Sequence, residues 1–166
     1  MSSVGVSSTA LRGAAMRLDN LPVGQLLAIA FRKIGLTLRA RLKVHGLTPR
    51  QHVVVRLLKQ SGPMCLFDIA DRLFVDPTSL SRTVHGMAAA GLLKRTAVPG
   101  DRRRQLLSLT DAGQRAAAEG ALVSAAVTTM MLQGFDDRET ETLRALLDRV
   151  IRNVPEVDDG GDDVEP

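Results

Sequence analysis

Apolar positions along this chain recur mostly at helical spacing, interrupted once by two short extended runs. Leu26, Ile29, Ala30, Ile34, Leu38 and Leu42 mark a first stripe, because residues three, four and seven apart share one face of an α-helix. The pattern predicts a helix from near Asn20, with Pro22 in its first turn and Gly46 past its end. Thr48-Pro49-Arg50-Gln51 opens a second helix: Thr48 can cap, Pro49 suits the first helical position, and Gln51 completes a capping box. Val54, Leu57 and Leu58 supply its inner side before Ser61-Gly62-Pro63 stops it. A short third helix is predicted over about Leu66 to Leu73, with Ile69, Ala70 and Leu73 inward and Phe74-Val75 as the turn. Asp76-Pro77 repeats the cap-plus-proline start, and a fourth helix runs to Ala90 with Gly91 closing it. Extended runs over Leu92 to Val98 and Arg104 to Leu109, with Pro99-Gly100-Asp101 between them, read as a β-hairpin.

Thr110-Asp111 starts a long helix carrying an acid near its positive end. Ala116, Leu122, Val123, Ala126, Val127, Met130 and Met131 repeat along it at a heptad-like spacing, broken by Gln133-Gly134. Asp136 and Glu139 form the next capping-box candidate. Leu143, Leu146, Leu147, Val150, Ile151 and Val154 then recur as the clearest amphipathic signal in the chain, ended by Pro155. The predicted order is four helices, a hairpin and two helices, without internal repeats. Residues before about Met16 are rich in Ser, Gly and Ala and read as an arm, and the acidic C-terminal stretch is too polar to fold.

Composition agrees with helices. The 166 residues are 45% hydrophobic but only 2% aromatic, with four Phe and neither Tyr nor Trp, and strands favour aromatic and β-branched residues. The net charge of +4 conceals an asymmetry. Glu156, Asp158, Asp159, Asp162, Asp163 and Glu165 lie in a tail without a basic residue, so elsewhere 22 cations face 12 acids. A body this basic suits a polyanion, or simply a soluble basic protein. The tail itself either solvates the chain or folds back over the basic face. One cysteine excludes a disulfide framework, and His45, His52 and His85 have no metal-ligand spacing. No apolar run approaches the roughly 20 residues of a membrane span, and the N-terminus lacks the plan of a signal peptide. The expectation is a cytoplasmic protein with no metal, no cofactor and no membrane.

The fourth helix carries the candidate chemistry. At about 100° per residue, Thr78, Ser81, Arg82, His85 and Ala89 fall in one arc, and Leu80, Val84 and Met87 lie opposite. One face packs, and the other presents small hydroxyls, a guanidinium and an imidazole. Such a face fits a major groove, where Arg pairs with guanine and hydroxyls reach bases or phosphates. Taken alone, such a face more often belongs to an ordinary solvated helix. The hairpin changes the balance: Lys94 and Arg95 lie on its first strand, and Arg102, Arg103 and Arg104 follow the turn beside Asp101. Basic hairpin tips insert into minor grooves or clamp phosphates. No nucleophile elbow, phosphate loop or paired acids point to an enzyme.

The stretch from Leu47 to Gly113 resembles the MarR family of bacterial regulators. The residues that carry this are Leu47-Thr48 with Gln51, Ile69-Ala70-Asp71-Arg72-Leu73, Val75-Asp76 with Leu80, Ser81 and Arg82, Gly91-Leu92-Leu93 with Arg95, Asp101-Arg102-Arg103, and Leu109-Thr110 with Gly113. The resemblance implies a mostly α fold with a small β-hairpin wing, a dimeric winged helix-turn-helix. It implies a 1–17 arm, an 18–46 dimerisation helix, a 47–110 DNA-binding domain, 111–155 dimerisation helices and a 156–166 tail. It also implies double-stranded DNA and a second copy as partners, with Pro77, Thr78, Ser79, Ser81, Arg82 and His85 in the recognition helix. Lys94, Arg95, Arg102, Arg103 and Arg104 would act from the wing, and Asp101 would hold it. Many members are repressors released by small aromatic or phenolic ligands, whose site in this chain is unassigned. Gly86 departs from the pattern, standing where many relatives carry a second helix arginine. Cys65, at the expected cap of the third helix, opens the possibility of a thiol redox sensor, but no second cysteine could resolve a sulfenic acid. An interaction module that has lost DNA binding and a nonspecific DNA binder are also compatible with the chain.

Overall fold

The computed structural model describes residues 18–98 and 101–155. The predicted arm, the Pro99-Gly100 turn and the acidic tail lie outside the described residues. The described residues up to Lys33 and those from Ile34 onward form two compact units. The elements are α1 (Val23–Lys43), α2 (Pro49–Ser61), β1 (Met64–Cys65), α3 (Leu66–Leu73), α4 (Pro77–Ala89), β2 (Leu93–Val98), β3 (Asp101–Leu109), α5 (Asp111–Met131) and α6 (Asp137–Asn153). Among the described residues six helices are therefore present in the predicted order, with α1 starting about three residues later than expected and α4 ending one residue earlier.

The helix starts are written in side-chain oxygens. Gln51 N–H donates to Thr48 Oγ1 at 3.2 Å while Thr48 N–H donates to Gln51 Oε1 at 2.9 Å, which closes the predicted capping box. Asp136 and Glu139 close a second one at 2.9 and 2.7 Å. Asp76 accepts from Ser79 N–H at 2.6 Å. Thr110 accepts from Gly113 N–H at 3.1 Å and donates to the Gly91 carbonyl at 2.6 Å, so one side chain ties the start of α5 to the end of α4.

The hairpin belongs to a three-stranded antiparallel sheet, ordered β1-β3-β2. Met64 and Cys65 pair with Leu107 and Leu106, a strand the hydrophobic pattern does not reveal. β3 starts at Asp101 rather than Arg104. The β2–β3 register runs evenly from Leu93↔Leu109 to Ala97↔Gln105, then shifts so that Val98 opposes Asp101. The extra residues of that irregularity are the basic ones after the turn.

The main core joins Val54, Val55 and Leu58 of α2, Ile69 and Ala70 of α3, Leu80, Val84 and Met87 of α4, and Leu93, Leu107 and Leu109 of the sheet. Fully burying each large side chain among them stabilises the fold by about 1.5–3 kcal/mol. A second cluster joins Leu42, Leu47, Ala116 and Val123. Within the first stripe Leu42 is buried and Ala30 exposed.

The apolar repeat of α5 is only partly buried. Gly113, Ala116, Ala117, Gly120, Val123 and Val127 are buried, while Leu122 is 73% exposed and Ala126, Met130 and Met131 also face out. α5 packs through small residues because its neighbours come very close. A Cβ on Gly113 would overlap the Leu92 carbonyl, and one on Gly120 would overlap the His52 imidazole. α6 has the predicted amphipathic pattern but no buried residue at all. Leu146, Leu147, Val150, Ile151 and Val154 are exposed, so the described residues leave much of its apolar face open.

Candidate nucleic-acid interface

α3, the turn at Phe74 and α4 form the helix-turn-helix. Phe74 closes α3 in the left-handed conformation, φ 52° and ψ 48°, with its N–H on the carbonyls of Ala70 and Asp71. A Phe there costs roughly 1–2 kcal/mol relative to glycine-like freedom, offset by those bonds and by Val75 N–H on the Ala70 carbonyl at 3.1 Å. The tight turn fixes the start of α4, which Asp76 caps and Pro77 preorganises.

Leu80, Val84 and Met87 are buried against the core. That inner stripe holds Thr78, Ser81, Arg82, His85, Gly86 and Ala89 outward, all exposed on one side of α4. Pro77 and Ser79 are half-buried at its start. Ser79 is not an open hydroxyl: its Oγ accepts from Arg50 Nη1 at 2.7 Å. Arg50, on the first turn of α2, is a residue that sequence reasoning misses. The signal is present, since a cation in the first turn opposes the helix dipole and so asks for another reason to be there.

On β2, Lys94 and Arg95 are exposed, but adjacent strand residues point to opposite faces. Arg95 lines a cavity of about 200 Å³ together with Ser81, Val84, Cys65 and Gln105. The structure thus brings Arg95 and Ser81 to one concavity between α4 and the sheet, with Lys94 on the other face. Asp101, Arg102, Arg103 and Arg104 open β3 at the end of the sheet beside the turn.

Cys65 caps α3 by backbone position without a side-chain cap bond. It is 6% exposed and pairs with Leu106 through β1, which leaves its thiol little access to an oxidant. Among the described residues no group of three or more His, Cys, Asp or Glu could hold a metal, and no helix is long and apolar enough to cross a membrane.

Behind the interface, α2 meets α5 through a histidine. His52 is 3% exposed and shares a 2.7 Å hydrogen bond between its Nε2 and Ser124 Oγ, while its buried Nδ1 has no partner among the described residues. Burial, and secondarily the Arg56 charge, push its pKa below the ordinary 6.5. Nearby in sequence, His45 Nδ1 lies 3.2 Å from Glu119 of α5.

Known proteins match this arrangement. The model of the MarR family matches residues 45–104, the stretch that runs from before α2 to the wing. The HTH-type transcriptional regulator MhqR of Bacillus subtilis is 28% identical over 125 residues, 75% of this chain and 86% of that protein. The structure of BpsR from Bordetella bronchiseptica, solved to explain how 6-hydroxynicotinic acid regulates its DNA binding, superposes with a TM-score of 0.71 at 25% identity, covering 78% of this chain and 98% of that one. A mutant MarR from E. coli in complex with operator DNA superposes with a TM-score of 0.73 at 23% identity, over 79% and 94% of the two chains. At that identity the last likeness speaks for the fold.

Proposed function

This chain belongs to the MarR family of winged helix-turn-helix regulators, and on that premise we propose that it represses transcription by binding a pseudo-palindromic operator as a homodimer. The carrying observation is α4: a buried Leu80-Val84-Met87 stripe turns Thr78, Ser81, Arg82 and His85 outward as one polar, cationic face, and a basic hairpin follows it. In this reading α4 enters the major groove, where Arg82 and Ser81 meet base edges. Arg102, Arg103 and Arg104 reach the adjacent minor groove or its phosphates, with Lys94 and Arg95 adding positive charge and Asp101 holding the wing. Residues 47–110 are the DNA-binding domain, and 18–46 with 111–155 are the dimerisation region.

The exposed apolar side of α6 supports the dimer, as do Val23 and Phe31, exposed on α1. An exposed apolar helix face of this kind marks association. Two-fold symmetry would set two recognition helices about 34–36 Å apart, one turn of DNA. BpsR, regulated by 6-hydroxynicotinic acid, supports a small aromatic effector here too. The protein works in the cytoplasm, beside its operator. Its relatives are regulators rather than enzymes. The test is titration of the purified protein onto a labelled duplex from its own upstream region, with a scrambled duplex as reference.

A further inference from the structure

Arg50 is a cation at the wrong end of a helix. It occupies the first turn of α2, which contains no acidic residue, so its charge faces the positive end of the backbone dipole. It does not turn back to a carboxylate: among the described residues no ion pair includes it. Instead its Nη1 crosses to α4 and donates to Ser79 Oγ at 2.7 Å. Ser79 is itself fixed, because its N–H donates to the Asp76 cap at 2.6 Å. The guanidinium is therefore held at the start of α4 while Arg50 remains exposed. A guanidinium carries five N–H donors in one rigid plane. Ser79 takes one of them, and the residue as a whole is exposed.

The position on α4 matters. At about 100° per residue, Ser79, Arg82 and Gly86 share one edge of the outward face. Gly86 gives that edge no side chain, and nothing lies within 4 Å of where a Cβ would stand there. Arg82 is thus the only cation α4 itself places on this edge, and Arg50 brings a second from another helix. A planar guanidinium with donors to spare, beside a helix that lies in a groove, matches the bidentate geometry of a phosphate.

We propose that Arg50 is a phosphate-contacting residue of the DNA interface, delivered from α2 to the flank of the recognition helix and positioned there by Ser79. The inference rests on the DNA-binding reading above. A phosphate contact fixes register without reading sequence, so Arg50 adds affinity to every duplex alike.

The test is a salt series of binding to two labelled duplexes, the chain's own upstream region and a scrambled one, by wild type, Arg50→Ala, Arg50→Lys and Ser79→Ala. Arg50→Ala should weaken binding to both duplexes by the same factor, about tenfold, and make the log–log salt slope shallower by about 0.9. Arg50→Lys should keep the slope while losing part of the affinity, since an ammonium cannot bridge Ser79 and a phosphate in one plane. Ser79→Ala should keep the slope and weaken binding less than Arg50→Ala. An Arg50→Ala protein with the wild-type slope, or one weakened on its own duplex alone, overturns the inference and leaves DNA binding standing. Wild type that binds neither duplex at low salt overturns the DNA-binding reading, and this inference with it.

Discussion

Gly120 and Gly86 are both helical glycines, and the same substitution should act on them in opposite directions. Replacing Gly by Ala in a helix interior gains about 1 kcal/mol of intrinsic propensity. At Gly86 nothing lies within 4 Å of the new Cβ, so Gly86→Ala should raise the melting temperature by a few degrees. At Gly120 the new Cβ lands on the His52 imidazole, and that ring is held by Ser124 at 2.7 Å. Overpacking there costs about 1–3 kcal/mol, which outweighs the propensity gain, so Gly120→Ala should lower the melting temperature. Thermal unfolding followed by circular dichroism checks both. His52 makes a second prediction. Its pKa is depressed by burial and then by Arg56, so the folded state holds it neutral while the unfolded chain takes up a proton near pH 6.5. Its contribution to stability is complete above that pH and is lost as pH falls toward the lower folded value. Melting temperatures across this range should fall with acidity in the wild type and fall less in His52→Gln; parallel curves would remove His52 from the account.

At the scale of elements, the parts legible in the sequence are those whose signal is local. Thr48, Asp76, Thr110 and Asp136 each mark a helix start by a side-chain oxygen three residues before an amide that needs one, and each makes that bond. The inner stripe of α4 is legible because Leu80, Val84 and Met87 are large, periodic and set against small polar neighbours. β1 is not, because two residues cannot show an alternation and Met64-Cys65 becomes a strand only through its pairing with β3. The face of α5 is hard to read for a related reason. Gly113, Ala117 and Gly120 are buried because they are small, and small residues carry little hydrophobic signal, so the bulkier Leu122 and Met130 dominate the pattern although they face out. The partner of Arg50 is hidden in the sequence because Ser79 lies 29 residues away. The stripe of α6 is legible as a pattern, but a pattern cannot say which surface it meets. Among the described residues Ile151 is left 72% exposed. If a second copy covers it, Ile151→Glu should shift the protein from dimer toward monomer in sedimentation, with the helical signal retained. A monomeric wild type, or a variant that sediments like wild type, would contradict this use of α6.

The whole molecule joins a core that fixes one outward helix face, a sheet whose third strand begins with a run of arginines in sequence, and an amphipathic helix whose apolar side is largely exposed among the described residues. Each part alone fits many proteins. Their order and spacing, matched to the MarR family over residues 45–104, point to sequence-specific DNA binding. Binding to the protein's own upstream region, compared with a scrambled duplex across a salt series, tests that claim most directly. The DNA must carry the label, because the chain has neither Trp nor Tyr. The account predicts affinity for its own region at least about 10³-fold above the scrambled duplex, with affinity for both falling steeply as salt rises. Equal affinity for the two duplexes, or no binding at low salt, would contradict it.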